Sequence, residues 1–226
     1  MLRENLKILN EKLETAARAS GRNAKEILLL AVSKKVPESL VREAFQAGTH
    51  HFAENYVQEA LAKKSALSDL KLHWHLIGHL QSNKAKLVAG QFDLIHSVDS
   101  LKIAQKISEF SLDKPQKILI EVNLAGEKSK AGCAANDLPE LLTQVQKLPQ
   151  LSLRGLMFMA PLDLSVDDQR RYYSQARELR ATMQTYVSGS HELTELSMGT
   201  SHDFAVAIAE GATIVRVGTA LFGERK

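Results

Sequence analysis

The residue best suited to covalent chemistry is Lys34, which ends the apolar run Leu30-Ala31-Val32-Ser33-Lys34. Because alternate side chains of a β-strand point to one face, Leu30, Val32 and Lys34 share a face. An amine at the end of an inward face is partly desolvated and can act as a nucleophile toward an aldehyde. The alternative is a lysine that caps the strand with a solvated head group.

Two later segments, S-M-G-T-S-H-D (197–203) and R-V-G-T-A-L-F-G (216–223), are rich in small residues and hydroxyls. Such segments let backbone N–H groups approach a phosphate, and a helix N-terminus adds a favourable dipole. Either segment alone could be a tight turn in which Ser201 or Thr219 caps a helix. As a pair that follows the last two predicted strands, they favour phosphate binding.

Arg216 lies two residues before Gly218, so both should lie on one face of the last strand. Three roles are open for this arginine. It could contact a phosphate, form an ion pair with a residue such as Glu121, or donate a hydrogen bond to a ring nitrogen.

His73 and His75 share one strand face in the H-W-H segment, and such a pair in a barrel can bind a metal. They come early in their strand, however, and we expect no acidic or histidine side chain beside them. Hydrogen-bonded interior histidines are the preferred interpretation. Cys133 is interpreted as a loop thiol, since no base can be assigned to it.

Apolar runs that resemble strands alternate along the chain with amphipathic segments of helical spacing. The predicted strands are 27–33, 50–54, 72–77, 94–98, 117–123, 153–159, 193–198 and 213–217. The predicted helices between them are 38–47, 56–67, 81–90, 100–110, 136–147, 166–187 and 203–210. A further helix is predicted at residues 2–19 from the spacing of Leu2, Leu6, Leu9 and Leu13.

This alternation predicts an α/β fold: a single (β/α)8 TIM-type barrel with an additional N-terminal helix, forming one domain over residues 1–226. An open doubly wound sheet is the alternative, but A-V-S-K-K-V-P-E-S after the first strand lacks the usual glycine-rich turn. Ligands of barrels lie at the C-terminal ends of the strands. Those ends carry Ser33-Lys34, Glu54-Asn55, Gly78-His79, Ser97, Asp99, Asn123, Gly199-Thr200-Ser201, Arg216 and Gly218-Thr219.

The nearly balanced charge argues against partners that are bound mainly through their charge. Basic residues number 29 and acidic residues 26, a net charge of +3, so we expect neither nucleic acid nor a membrane surface as a partner. The one cysteine permits no intrachain disulfide, and no apolar run resembles a signal peptide or a membrane span. A cytoplasmic monomer is the expectation.

Six motifs taken together resemble one known family. They are A-V-S-K (31–34), F-A-E-N-Y-V-Q-E (52–59), W-H-L-I-G-H-L-Q-S-N-K (74–84), R-G-L-M (154–157), S-M-G-T-S-H-D (197–203) and V-R-V-G-T-A-L-F-G (215–223). In this order, from about residue 3 to 223, they are similar to the pyridoxal phosphate homeostasis protein family. The resemblance implies the fold of the alanine racemase N-terminal barrel, known as fold type III.

The resemblance also implies a cofactor, pyridoxal 5′-phosphate (PLP), bound as a Schiff base on Lys34. Arg216 would face the pyridine nitrogen, and the loops after the last two strands would hold the phosphate. The implied binding residues are Lys34, Asn55, Met198, Gly199, Ser201, Arg216, Gly218 and Thr219. The chain departs from the family at two places. Lys35-Val36 puts in doubt any role for a second lysine two positions after Lys34, the Schiff-base lysine. Met198-Gly199-Thr200 stands where Leu-Gly-Met is common in the family.

The function implied by the resemblance is intracellular PLP homeostasis and carriage without robust turnover, with PLP-dependent apo-enzymes as candidate recipients. A racemase-like PLP enzyme and a metal-dependent barrel hydrolase are the alternatives. Racemisation needs an acid/base group on each face of the cofactor. The sequence ends at Lys226, so we expect no second domain to supply one. Among the tyrosines we expect only Tyr56 near the pocket, with Tyr172, Tyr173 and Tyr186 far from its rim.

Overall fold

Parallel strands form a closed barrel in the computed structural model, which describes residues 1–127, 131–161 and 163–224. The strands are β1 (Leu28–Val32), β2 (His51–Glu54), β3 (His73–Leu76), β4 (Leu94–Val98), β5 (Gln116–Asn123), β6 (Cys133–Ala134), β7 (Leu151–Phe158), β8 (Glu195–Ser197) and β9 (Ile214–Val217). The α-helices are α1 (Leu2–Ala19), α2 (Glu38–Gln46), α3 (Val57–Ala66), α4 (Ala85–Val88), α5 (Leu101–Phe110), α6 (Leu138–Val145), α7 (Val166–Met183), α8 (Phe204–Ala209) and α9 (Thr219–Phe222).

The barrel closes because β1 pairs with both β2 and β9, and β4 pairs with β5. Of the strands in the described residues, eight form the wall, and the two-residue β6 pairs with β5 outside the ring of eight. The predicted (β/α)8 barrel with an added N-terminal helix is therefore confirmed. Among the described strands and α-helices, β6 and the one-turn α9 were not predicted, because segments this short carry no measurable periodicity.

Two separate apolar clusters hold the barrel together. The large cluster lies between the barrel wall and the surrounding helices. The small cluster fills part of the barrel interior with Leu30, Val32, Ala53, Leu94, Leu119, Met157 and Ile214. Buried polar side chains, among them those of His75, His96, Ser197 and Arg216, lie on the barrel strands β3, β4, β8 and β9.

Helix α1 connects the start of the described chain to its last elements. Its predicted apolar positions, Leu2, Leu6, Leu9 and Leu13, are buried as expected, and the helix packs against α8 and α9. Just past the helix, Arg22 Nη1 donates to the carbonyl oxygens of Ile208 and Ala212 at 2.9 and 2.8 Å.

Cys133 lies in β6 rather than in a loop, which corrects its predicted location. Burial and the nearby Asp99 carboxylate raise the pKa of its thiol to about 12, so the thiol has little nucleophilic character. In the described ranges, no helix combines the length and the apolar composition required to cross a membrane.

Candidate functional site

A cavity of about 220 Å³ opens at the C-terminal ends of the strands, where the barrel fold predicts a ligand. Its walls come from β1 and β9 and from the segments that follow β1, β2, β3, β7, β8 and β9. The residues that line it are Val32, Lys34, Asn55, Ile77, Met159, Thr200, Ser201, His202, Arg216, Gly218 and Thr219.

Six of the eight predicted binding residues line this cavity: Lys34, Asn55, Ser201, Arg216, Gly218 and Thr219. Met198 does not line it. Its side chain is fully buried in the large cluster outside the barrel, because it follows the inward-facing Ser197 and points the other way. Gly199 lies behind the wall, where its carbonyl accepts from Arg216 N at 3.0 Å. Met159 and His202 line the cavity without having been predicted.

Lys34 lies two residues past the end of β1 and lines the cavity, on the side that its alternation with Leu30 and Val32 predicts. The chain turns directly after it, and Val36 N donates to Ser33 O at 2.9 Å. Lys35 takes a left-handed conformation with φ of 57°, which is costly for a side chain of this size. Its backbone N–H donates to Glu59 Oε1 at 2.6 Å, which holds the turn in place.

A buried ion-pair network supports this turn from outside the barrel. Lys63 Nζ donates to Ser33 O at 2.6 Å, to Glu54 Oε1 at 2.8 Å and to Glu59 Oε1 at 2.7 Å. Ser33 Oγ donates to the same Glu54 oxygen at 2.7 Å. Burial raises the pKa of Glu54, while the bonds from Lys63 and Ser33 oppose that rise. The residues on both sides of Lys34 are thus fixed by one network.

Asn55 lines the cavity and carries a buried polar atom without a partner among the described protein residues. Within the described parts of the chain, its Oδ1 is buried and accepts no hydrogen bond. Gly78, after β3, allows Asn55 to lie here: a Cβ on Gly78 would stand 2.0 Å from Asn55 O. Since a buried acceptor without a donor is costly, this amide fits a site that a polar ligand completes.

The loops after β8 and β9 meet at Ser201. Its Oγ accepts from Gly218 N at 3.2 Å and from Ala220 N at 3.3 Å. Because two donors already approach this oxygen, the hydroxyl proton of Ser201 must point elsewhere and is available to the cavity. Gly199, at φ of 91°, has no room for a side chain, since a Cβ would lie 2.6 Å from Ala207 Cβ. The two loops therefore suit a phosphate.

Arg216 is 4% exposed and lies at the floor of the cavity. It donates to Ser197 Oγ at 2.8 Å, to Phe158 O at 2.9 Å and to Met159 Sδ at 2.8 Å. The suggested ion pair with Glu121 is not formed. Burial lowers the pKa of Arg216, but a guanidinium remains protonated at neutral pH and can only donate.

Glu121 is an inward carboxyl of β5 with a shifted pKa. Burial and the charge of Asp99 raise its pKa to about 7, and Arg216 opposes the rise. The sequence pattern indicated no role for this glutamate beyond the suggested ion pair with Arg216.

Tyr172 and Tyr173 correct the expectation that they lie far from the rim. Tyr172 Oη donates to Met159 O at 3.0 Å, and Tyr173 Oη donates to Asp203 Oδ2 at 2.6 Å. Both accepting residues belong to the loops around the cavity. Burial raises the pKa of both phenols, so neither is suited to act as a base.

The histidines of β3 also differ from the expectation. Asp93 Oδ1 lies 3.1 Å from His73 Nδ1, and His75 has a histidine within hydrogen-bond distance on each side. The expectation that no such side chain lies beside them is therefore wrong. His75 is buried, as an interior histidine should be, whereas His73 is about half exposed. Among the residues with described positions, no group of three or more candidate ligands has a metal-binding arrangement.

The fold and the family comparison define the class of the protein. The family model described as "Alanine racemase, N-terminal domain" matches residues 3–226. The chain thus belongs to the pyridoxal phosphate homeostasis proteins that carry this domain, as the six motifs had indicated.

The relatives that carry this name match nearly the whole chain. The protein from Pseudomonas aeruginosa is 46% identical over 224 residues, covering 98% of this chain and 95% of the relative. The protein from Aquifex aeolicus is 44% identical over 225 residues, covering 99% of this chain and 98% of the relative. The protein from Escherichia coli K12 is 40% identical over 226 residues, covering 98% and 95%.

Solved structures agree with this fold. PipY from Synechococcus elongatus, described with PLP bound, is 42% identical with a TM-score of 0.87, and the match covers 99% of this chain and 100% of PipY. Alanine racemase from Corynebacterium glutamicum has a TM-score of 0.74 at 14% identity, covering 97% of this chain and 62% of the racemase, which indicates a shared fold alone.

Proposed function

We propose that the chain binds PLP reversibly through a Schiff base on Lys34 and holds it for intracellular PLP homeostasis and carriage, without robust turnover. One observation carries the proposal: an inward lysine, a buried arginine and two small-residue loops line the same 220 Å³ cavity. The unpartnered Asn55 Oδ1 at that cavity supports it. So does the relative PipY, which is described with PLP bound.

The phosphate of PLP would lie at the loops after β8 and β9. Ser201 offers its hydroxyl proton, and Gly218 and Thr219 line the same part of the cavity. Hydrogen bonds to a phosphate are charge-assisted and therefore stronger than those between neutral groups. Met198 would contribute no side chain, and Gly199 would act by permitting the close loop.

Arg216 would face the ring nitrogen of PLP. Since a guanidinium can only donate, the nitrogen would stay unprotonated. PLP in this state withdraws electrons less strongly from a bound amino acid than with an aspartate partner. Such a site suits storage and delivery better than carbanion chemistry.

The residues around the cavity support a protein without robust catalysis. Racemisation needs a proton acceptor and a proton donor on opposite faces of the ring. Tyr172 and Tyr173 donate to Met159 and Asp203, and the pKa of each phenol is raised. The relatives are named homeostasis proteins rather than enzymes, in agreement with this proposal.

The Schiff base can be tested by incubating the purified protein with PLP and reducing it with borohydride. We expect absorbance of bound PLP before reduction and, after digestion, a phosphopyridoxyl group on the Lys34 peptide. Lys34→Ala should lose the label, whereas Lys35→Ala, which changes the adjacent exposed lysine, should keep it. A label on Lys35 alone, or no label in the parent protein, would contradict the proposal.

Residues 1–226 would act as one PLP-binding barrel domain, and the protein would work as a cytoplasmic monomer that delivers PLP to PLP-dependent apo-enzymes. The single cysteine, which cannot form an intrachain disulfide, agrees with a reducing compartment. Delivery can be measured by mixing the PLP-loaded protein with a PLP-dependent apo-enzyme and following its activity. Reactivation no faster than with an equal amount of free PLP would argue against delivery.

A further inference from the structure

A continuous line of hydrogen bonds runs through the barrel from Arg216 to its other end. Arg216 Nη1 donates to Ser197 Oγ at 2.8 Å, and Ser197 Oγ lies 3.0 Å from His96 Nδ1. His96 Nε2 lies 3.0 Å from His75 Nδ1, and His75 Nε2 lies 3.1 Å from His51 Nδ1. These five residues, which we call the interior chain, belong to β9, β8, β4, β3 and β2.

The arginine fixes the direction of the interior chain. Because Arg216 can only donate, Ser197 Oγ accepts from it, and the serine proton must go to another acceptor. His96 Nδ1 is the remaining partner of that oxygen in the described structure, so it must be the unprotonated nitrogen. The proton of His96 is then on Nε2 and points to His75 Nδ1.

The same logic extends to the far end. His75 accepts at Nδ1, so its proton is on Nε2 and points to His51 Nδ1. His51 must then also carry its proton on Nε2. The opposite direction would leave the hydroxyl proton of the fully buried Ser197 without an acceptor. Such a loss disfavours that arrangement by about tenfold or more.

The surroundings keep the three rings neutral, as this arrangement requires. Burial lowers the pKa of His75 to about 3 and holds the pKa of His96 well below its usual value. Burial also lowers the pKa of His51, and the neighbouring His73 adds to the effect. A charged ring would have two donating nitrogens and would break the chain at that point.

The interior chain ends at a second cavity, of about 500 Å³, at the N-terminal ends of the strands. His51 is half-buried there, and its ring stacks on that of His73 with centroids 4.4 Å apart. Six charged side chains line this cavity: Lys25, Glu26, Asp93, Lys117, Arg154 and Glu195. A chemical change in this cavity would therefore act directly on His51 Nδ1, the last acceptor of the interior chain.

We propose that Ser197 and the three histidines are positioning residues that hold Arg216 toward the ligand ring through one oriented hydrogen-bond chain, and that loss of the acceptor at His51 is transmitted along it. The inference rests on the proposed function only for the identity of the ring that Arg216 meets. The direction of the chain follows from the protein alone.

The direction can be measured by NMR without any ligand, in protein labelled with ¹⁵N at histidine. We expect His51, His75 and His96 to carry their protons on Nε2 at neutral pH. His50, an exposed neighbour of His51, serves as the reference ring. A proton on Nδ1 of His75 or His96, or a doubly protonated ring at either position, would overturn the proposal.

Transmission can be tested from the distant end. His51→Leu removes the acceptor of His75 Nε2–H, so the ¹⁵N signals of His96 should shift although the two residues do not touch. His51→Asn can supply a carbonyl oxygen near the place of Nδ1 and should restore most of the parent signals. His50→Leu is the matched control and should leave His96 unchanged. Unchanged His96 signals in His51→Leu would refute transmission.

Positioning of Arg216 is measured with PLP. His96→Leu should weaken PLP binding about tenfold and shift the absorption of the bound form, because Ser197 loses its acceptor. His96→Asn retains an oxygen near Nδ1 and should recover the affinity. Unaltered affinity and spectrum in a folded His96→Leu protein would refute the positioning role. Absence of PLP binding in the parent protein would instead refute the proposed function and leave the NMR result standing.

Discussion

The two ends of the barrel differ in how their polar groups are held. The N-terminal cavity is the larger, at about 500 Å³ against about 220 Å³, and has more charged side chains. Lys25, Asp93 and Lys117 are exposed there, however, and exposed charges are solvated and contribute little when paired. At the C-terminal end, Arg216 is buried, and the turn that carries Lys34 is fixed by hydrogen bonds.

This difference shows that size and charge alone do not identify a binding end. A ligand gains most from groups that are already desolvated and oriented before it arrives. Asn55 Oδ1 and the Ser201 hydroxyl are of this kind, because in the described structure the first is buried without a protein partner and the oxygen of the second is held by two backbone N–H groups.

The largest effect on stability is expected from Lys63→Met, below the Lys34 turn. Removing this buried amine leaves Glu54 without its ion-pair partner, which should lower the free energy of unfolding by about 3–5 kcal/mol at pH 8. Urea denaturation measures this change. Lys117→Met, in the cavity at the N-terminal ends of the strands, should change the free energy of unfolding by less than about 0.5 kcal/mol.

The loss in Lys63→Met should depend on pH in a defined direction. Burial raises the folded-state pKa of Glu54, and the variant lacks the amine that opposes this rise. Stability that comes with a raised carboxyl pKa is present below the unfolded pKa and is lost as pH rises through the folded one. The deficit should therefore shrink toward pH 4. A deficit of equal size at pH 4 and pH 8 would contradict this account.

Glu121→Gln should stabilise the PLP-free protein at alkaline pH. The rise of the Glu121 pKa from 4.5 to about 7 means that the fold favours the neutral acid, so stability is lost as pH increases through 7. Glutamine stays neutral, and the gain should reach about 3 kcal/mol near pH 8.5. Thermal or urea unfolding across pH should show the gain disappearing below pH 4. A constant difference at all pH values would indicate a packing effect instead.

Ser201→Ala should weaken PLP binding by about 1.5–3 kcal/mol and the binding of pyridoxal far less, because only PLP has the phosphate that the hydroxyl meets. Equilibrium titration of both ligands measures the difference. Thr213→Ala, which removes a hydroxyl at the opposite mouth, should leave the ratio of the two affinities unchanged. Equal weakening of both ligands by Ser201→Ala would indicate that the loop acts only structurally.

The smallest effect is expected from chelators. Because the described histidines and carboxylates form no metal-binding group, EDTA should change neither PLP affinity nor the melting temperature. Stoichiometric zinc in the purified protein, lost together with stability on chelation, would show that the cavity at the N-terminal ends of the strands, which His51, His73 and His75 line, has a function of its own.

Much of the fold could be predicted because each of the longer strands has a recognisable pattern of apolar residues within its own segment. The inward position of Lys34 followed from its alternation with Leu30 and Val32. The interior chain could not be predicted in this way, since it depends on registers between strands, such as the pairing of Ala53 with His75. Periodicity within one segment contains no information about the register of its neighbours.

Two other differences between the sequence-based expectation and the structure also have physical causes. Lys63 lies on α3, and a lysine among polar residues is normally solvated, so nothing local indicated that this one is buried against Glu54. Tyr172 and Tyr173 were placed too far away because α7 is long. At a rise of about 1.5 Å per residue, they lie only about 10 Å along the helix from its start, still near the strand ends.

The pairing of β1 with β9 has a consequence for how the protein is made. Leu30 lies opposite Arg216 in adjacent strands although the two residues are 186 positions apart in the chain, at positions 30 and 216. On the ribosome, the lysine strand would emerge long before the arginine strand, and loop closure over such a length makes folding slow. Until then the edge of β1 is open and prone to wrong pairing. A nascent chain stalled before residue 214 should therefore fail to bind PLP, however much of the barrel it contains.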